Sequence, residues 1–401
     1  MRSRAHVRTR AVSLCAGLSL IVLAGCAGGG ATANRSQITV SGSRLTIYAS
    51  QPPGASAGQL ATDALDAERL ALQQSGSRAG KFAVRLLTLH GRELSDNART
   101  AIQDPSAIAY LGELVPGTSP VSAEILNQQG VLEVSPADTA AYLTQATPVV
   151  SGAPTKFYPA HATYHETFAR VVPNSAQEAK ALVAEMQSLR VSRIYVASDG
   201  RPYGATIASE VAQAAKAAGL TPIQGPATEA RVAASGANAM FYGATLASSA
   251  TASAARGLLD SVAGTLPSVK LLAPSGLYDD SFVSSLTAAT QSRLTVSSPG
   301  FLSPDLDPLG RRFVSDFRSA YGHEPAPQAI FGYAAMQAVL NVLDQGGASA
   351  ADRAYVVAQL RALKNAPSVL GTFSINGGDP SIAPFIFARP QGGKLVPFAK
   401  G

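Results

Sequence analysis

From Arg44 to Ser275 the chain alternates apolar runs of strand length with amphipathic runs of helical period. Few folds accommodate that pattern. RLTIYAS (44–50), KFAVRLLTL (81–89), AIAYLG (107–112) and VLEVSP each read as a strand. So do RIYVAS (193–198), ANAMFYG (237–243) and VKLLAPS (269–275). Between them, Gly58 to Gln74, DNARTAIQ, Ser119 to Gln129, Ser175 to Leu189, the run through Ala218 and the run near 250–263 carry helical spacing. Strands separated by single helices make βαβ units, and βαβ units make parallel sheets. The alternation breaks at a Pro-rich stretch (148–160), resumes with ETFARVVP, and blurs over 291–310. Two long helices, about 308–321 and 327–344, and short C-terminal strands follow. The expected fold class is therefore α/β: two blocks with crossover segments and a cleft between them. In open α/β sheets, ligands bind beyond the carboxyl ends of the strands.

The first of those ends carries Gly54-Ala55-Ser56-Ala57-Gly58, a match to the G-x-S-x-G elbow that presents a nucleophilic serine in α/β-hydrolases. An elbow follows a central strand, and an earlier strand supplies its oxyanion loop. Ser56 follows the first strand of the domain, and Gln51-Pro52-Pro53 interrupts the approach. Ser56 thus reads as part of a cleft-lining loop, with a serine hydrolase as the distant alternative, and no enzyme activity is expected.

The N-terminus is a targeting segment. Arg2, Arg4, Arg8 and Arg10 precede an apolar run from Ala11 to Ala24, too short for the roughly 20 residues of a spanning helix. Leu23-Ala24-Gly25-Cys26 resembles a bacterial lipobox, which implies removal of residues 1–25, lipidation of Cys26 and a flexible tether over 26–43. The four arginines leave with the signal. The formal charge falls from +6 to +2, so the basic pI near 9.3 gives no ground for a nucleic-acid partner. Cys15 leaves too, so no disulfide or cysteine-based metal site remains.

Candidate sites sit at strand ends. In GELVPGTSPVSAEIL the N–H groups of Gly117, Thr118 and Ser119 open a helix whose first turn includes Pro120, a ready site for an anion. A plain capped helix explains the same residues. In VSPADTAAYL, Ser135 or Asp138 is placed to cap a helix, while Ala137 and Thr139 lie where a ligand could be held. In SDGRPYGATIA, Tyr203 offers a flat apolar face with a hydroxyl, or simple packing. His161 and His165 share a face if helical, but Pro159 and Thr163 weaken the helix and no adjacent carboxylate completes a metal site. His90 and His323 are isolated. No metal or cofactor is expected.

The ordered set of these segments resembles type I periplasmic substrate-binding proteins, specifically the Leu/Ile/Val-binding lipoproteins of ABC importers. It comprises SQPPGASAGQ, AIAYLGE, GVLEVSPADTAAYLT, FARVVPNSAQEAKAL, RIYVASDGRPYG, GANAMFYG, APSGLYDDSF, FRSAYGHEPAPQAIFGYAAMQAVLNVL and LGTFSINGGDPSIAPF. The resemblance implies two Rossmann-like lobes with parallel sheets joined by three crossovers: 44–167 with 296–367, and 168–295 with 368–401. It implies a monomeric, extracytoplasmic receptor, anchored to the membrane by lipid, that hands a small molecule to an ABC permease; a sensor without transport would use the same module. It also implies that Gly117, Thr118, Ser119, Ala137 and Thr139 hold a ligand carboxylate. Tyr203, Tyr242 and Gly243 match the family's other ligand-facing positions.

Two departures qualify this. Pro116 stands where members often carry serine. The stretch FYGATLASSATASAARG has no acid before Asp260, where amino-acid binders place a partner for the ligand ammonium. Asp199, Asp279 or Asp280 could replace it. A buried ammonium without a counter-charge is costly. The expected ligand is therefore a neutral or anionic small molecule with an aromatic or amide part, and weak or no binding of leucine, isoleucine and valine.

Overall fold

The computed structural model describes residues 38–54 and 58–401, so Cys26, the signal segment and Ser56 lie outside the described residues. Two sheets organise the chain. The first has the order β2-β3-β1-β4-β5-β6. Its strands are β1 (Arg44–Ser50), β2 (Arg78–Ala79), β3 (Phe82–Leu89), β4 (Ala107–Leu111), β5 (Leu132–Ser135) and β6 (Phe168–Arg170). All pairs are parallel except β2 with β3.

The second sheet takes β7 (Arg193–Ser198), β8 (Thr221–Gln224), β9 (Ala239–Gly243), β10 (Lys270–Ala273) and β11 (Leu294–Pro299). Two small two-stranded sheets follow, β12 (Ala366–Ser368) with β13 (Gly371–Phe373) and β14 (Ile375–Asn376) with β15 (Asp379–Pro380). The C-terminal β16 (Phe385–Gln391) and β17 (Lys394–Lys400) then add antiparallel to β11, giving the order β17-β16-β11-β10-β9-β7-β8. Helices between successive strands make this the expected α/β architecture. β6 and β11 are each one continuous strand, of the first and second sheet respectively. The chain therefore leaves each sheet after Arg170 and Pro299, a few residues beyond 167 and 295.

One core cluster lies on the first sheet and another on the second, while a third joins Phe168 of the first sheet to Ile194, Phe241 and Phe387 of the second. The long apolar helix Ala329–Gly346 packs on the first sheet and on the helix Gln59–Gln74. That contact is close enough that a Cβ on Gly332 would meet the Ala64 carbonyl at 2.3 Å. Glu68 is fully buried in this first helix, and neither carboxylate oxygen has a hydrogen-bond partner. Burial pushes its carboxyl well above the usual range.

The chain entering the domain is anchored earlier than a tether through residue 43 would allow. Thr39 bridges to Asp352, and the Val40 N–H donates to the Ala351 carbonyl. Val40 is buried because it has an apolar site to fill beside those turns. Among the described residues, no helix is long and apolar enough to cross a membrane.

Candidate functional site

The carboxyl ends of the two sheets meet. β4 leads into a loop at Gly112–Thr118 and then the helix Ser119–Asn127. β5 ends at Ser135 and leads into a single 3-10 turn, Ala141–Leu143, in place of the expected helix. Asp138 therefore caps a different element. Its carboxylate accepts the Gly117 N–H at 2.7 Å and the Ser119 N–H at 2.8 Å, and it also takes the Ala140 N–H at 2.9 Å. The backbone donors proposed for an outside anion are thus filled from within. Ser135 Oγ accepts from the N–H groups of Ala137 and Asp138, and Thr118 Oγ1 donates to the Val115 carbonyl. The local residue types are those that close Asx and Ser/Thr turns.

Tyr203 comes from the other sheet, in the first turn of the helix Pro202–Ala217, and is buried. Its hydroxyl lies 3.3 Å from both Thr139 Oγ1 and Ser275 Oγ. Its ring packs on Gly117, whose φ of +84° suits glycine, and a Cβ there would stand 2.6 Å from Tyr203 Cβ. Burial, with negative Glu178 adding, pushes the Tyr203 hydroxyl well up, so it stays neutral. Glu178 itself is buried and accepts from the Ser275 N–H, Ser275 Oγ and Ser297 Oγ.

The predicted residues therefore divide. Gly117, Ser119, Asp138, Thr139 and Tyr203 form one bonded cluster between the sheets, with Thr118 and Ala137 in its turns. Tyr242 and Gly243 do not join it. Tyr242 is buried in the core of the second sheet, and burial, then Asp199, pushes its hydroxyl up to about 12. Gly243 lies back to back with Gly204, where a Cβ on either would meet the other's carbonyl within 2.4 Å.

A cavity of about 640 Å³ opens directly beside the cluster. None of the eight predicted ligand residues lines it, although their neighbours Val115, Pro116, Ser275 and Gly276 do. The first sheet's side supplies Leu60, Ala61, Arg92 and Leu114; the second supplies Leu246, Ser248, Ala252, Arg256, Tyr278 and Phe282. Thr245 Oγ1 donates to the Pro116 carbonyl and closes its inner edge.

Of the candidate acids, Asp279 alone lines the cavity. Its Oδ1 accepts the Phe282 N–H, and its Oδ2 lies against Gly58 at the start of the helix Gln59–Gln74. Asp280 Oδ1 accepts the Leu395 N–H. Asp199 lies under the β9 end, where burial raises its carboxyl. Arg92 and Arg256 carried no sequence signal, because each stands in an ordinary polar stretch.

The histidine pair is brought together, with ring centroids 5.6 Å apart. His161 Nε2 lies 3.1 Å from Glu166, a carboxylate the sequence reading overlooked. Glu166 also pairs with Arg361; against burial, which raises it, a backbone hydrogen bond and then Arg361 hold its carboxyl below the ordinary range. Among the described residues, no group of three or more His, Cys, Asp or Glu is arranged to hold a metal ion.

Solved structures share this architecture. The leucine-binding protein LivK from Thermotoga maritima aligns over 89% of this chain and 98% of its own, at 17% identity and a TM-score of 0.73. An ABC-transporter substrate-binding protein from Desulfitobacterium hafniense, in complex with Leu, aligns over 88% and 100%, at 20% identity and a TM-score of 0.70. A solute-binding protein of an ABC transporter from R. palustris, in complex with benzoate, aligns over 89% and 96%, at 18% identity and a TM-score of 0.67. No curated protein sequence matches the chain. These likenesses fix the fold as that of type I periplasmic binding proteins. Residues 93–394 match the model of the family described as periplasmic binding protein, and the chain belongs to that family.

Proposed function

We propose that the chain is the lipid-anchored, extracytoplasmic solute receptor of an ABC importer. It acts as a monomer and binds one small polar molecule between two closing lobes, without chemical turnover. One lobe takes the chain through β6 together with the helices Pro308–Tyr321 to Arg353–Arg361. The other takes β7 to β11 with β16 and β17. The observation that carries the reading is the cavity itself. It is concave, mostly apolar with a few convergent polar groups, and walled by residues from both sheets. Ligand that touches both walls favours the closed arrangement over any open one. Gly117, Thr118, Ser119, Ala137, Thr139 and Tyr203 serve as the latch beside the ligand, while Tyr242 and Gly243 support the wall behind it.

A thermal-shift screen of small solutes tests the receptor role. A true ligand at about 100 times its Kd stabilises by roughly 2.7 kcal/mol, while free leucine, isoleucine and valine are expected to give little shift. Cys26→Ser tests the anchor. The variant should leave the membrane fraction, and unchanged membrane retention would refute lipidation.

A further inference from the structure

We propose that the cavity selects a monoanionic carboxylate carried on an apolar body, and that Arg92 and Arg256 recognise the charge from opposite walls. The inference rests on the receptor reading above and concerns which ligand that site takes.

Three observations carry it. First, Asp138 already holds the backbone donors of Gly117 and Ser119, and the Tyr203 ring covers Gly117. A ligand carboxylate has no free amide pair there. Second, Arg92 and Arg256 both line the cavity, one beyond β3 and one on the helix Ser249–Thr265. Among the described residues neither makes an ion pair or a side-chain hydrogen bond, and both are exposed at the cavity mouth. Guanidinium groups bind carboxylates through paired, charge-assisted hydrogen bonds. Third, the lining carries two arginines and one acid, Asp279, a net charge of +1. Asp279 spends Oδ1 on the Phe282 N–H, and its Oδ2 faces Gly58. One negative charge on the ligand balances the lining, whereas a zwitterion brings no net charge and leaves the lining at +1. Leu60, Leu114, Leu246, Tyr278 and Phe282 give the wall an apolar stretch that suits a hydrocarbon body, set among serines and Gln328.

The test uses the full mature chain and four probes: benzoate and 4-methyl-2-oxopentanoate, with benzamide and L-leucine as matched neutral and zwitterionic controls. Calorimetry should show binding of at least one carboxylate and at least tenfold weaker binding of its control. Arg92→Gln and Arg256→Gln should each weaken that binding about tenfold, equivalent to about 1.4 kcal/mol. Their unliganded melting temperatures should stay close to that of the parent chain. Raising the salt should weaken binding, because exposed charges are screened over about 10 Å at 0.1 M ionic strength. Equal binding of acid and amide, or unchanged affinity in both variants, would overturn the proposal. Native mass spectrometry after exposure to bacterial extract separates the two levels. Capture of a neutral or cationic solute defeats the charge assignment and leaves the receptor reading standing. If nothing is captured and neither carboxylate binds, both fall.

Discussion

Thr245 Oγ1 donates a 2.8 Å hydrogen bond to the carbonyl of Pro116, which lies 129 positions earlier in the chain and on the opposite wall. With the Tyr203–Thr139 contact it forms a latch across the cleft, independent of any ligand.

Thr245→Val keeps the shape of the side chain and removes the donor. One such bond contributes about 1 kcal/mol, so the closed form should lose roughly fivefold in population relative to an open one. Small-angle scattering of the unliganded protein should report a larger radius of gyration, and an unchanged radius would show that the bond does not restrain the lobes.

Asp138→Ala strips the acceptor from Gly117, Ser119 and Ala140 together. Each buried donor left unmade costs about 1–3 kcal/mol, so the variant should be among the least stable single changes, with Asp138→Asn less severe. Formate fits the vacated space and should restore part of the loss in a urea melt. No rescue at high formate would argue that the loop has collapsed.

Glu113 governs one arm of the pH response. It is buried beneath the cluster, accepts from Tyr110 and Ser50, and is pushed up to about 7 by burial. Glu210 is raised to about 7 for the same reason. A carboxyl whose folded pKa is raised gives up its proton sooner in the unfolded chain. Its stabilising contribution is complete below the ordinary carboxyl pKa of about 4.3 and is lost as pH rises through the folded value. The protein should therefore be more stable near pH 5 than near pH 7.5. Each such group contributes a slope of up to about 1.4 kcal/mol per pH unit, and Glu113→Gln should flatten it. A wild-type curve that rises from pH 5 to 7.5 would contradict this.

Glu68→Met replaces a buried acid that has no hydrogen-bond partner with a side chain suited to the same packing between helices. The variant should be more stable by about 1–3 kcal/mol in denaturant melts at neutral pH. Destabilisation would mean that the carboxyl contributes something its unbonded oxygens do not reveal.

Much of the fold was legible because strands such as AIAYL and RIYVAS are apolar and bounded by turns. β11 was lost because its sequence, LTVSSP, places Thr295, Ser297 and Ser298 in the interior. Those hydroxyls are tolerable there only through partners far off in sequence: Ser297 bonds Glu178, and Gln328 Nε2 donates to Ser298. β8 is weakened as a pattern by Pro222, which an edge strand accepts. The helix Arg353–Arg361 went unread, although Asp352 caps it. At the site, the turn residues of 116–119 and 135–139 were visible as turn chemistry. Their mutual bonding was not, because Asp138 caps a helix belonging to another strand. The cavity-facing arginines were invisible, since exposure and pairing are tertiary properties.

The bond pattern of Asp138 has a kinetic and thermodynamic corollary. A carboxylate carried on the same wall as its donors competes as an intramolecular group, and well-oriented groups of that kind act at effective concentrations beyond any solution value. No metabolite can displace it by abundance. The chain carries a built-in competitor for the very anion its amides would otherwise admit, and solute choice is thereby handed to the residues at the cavity mouth.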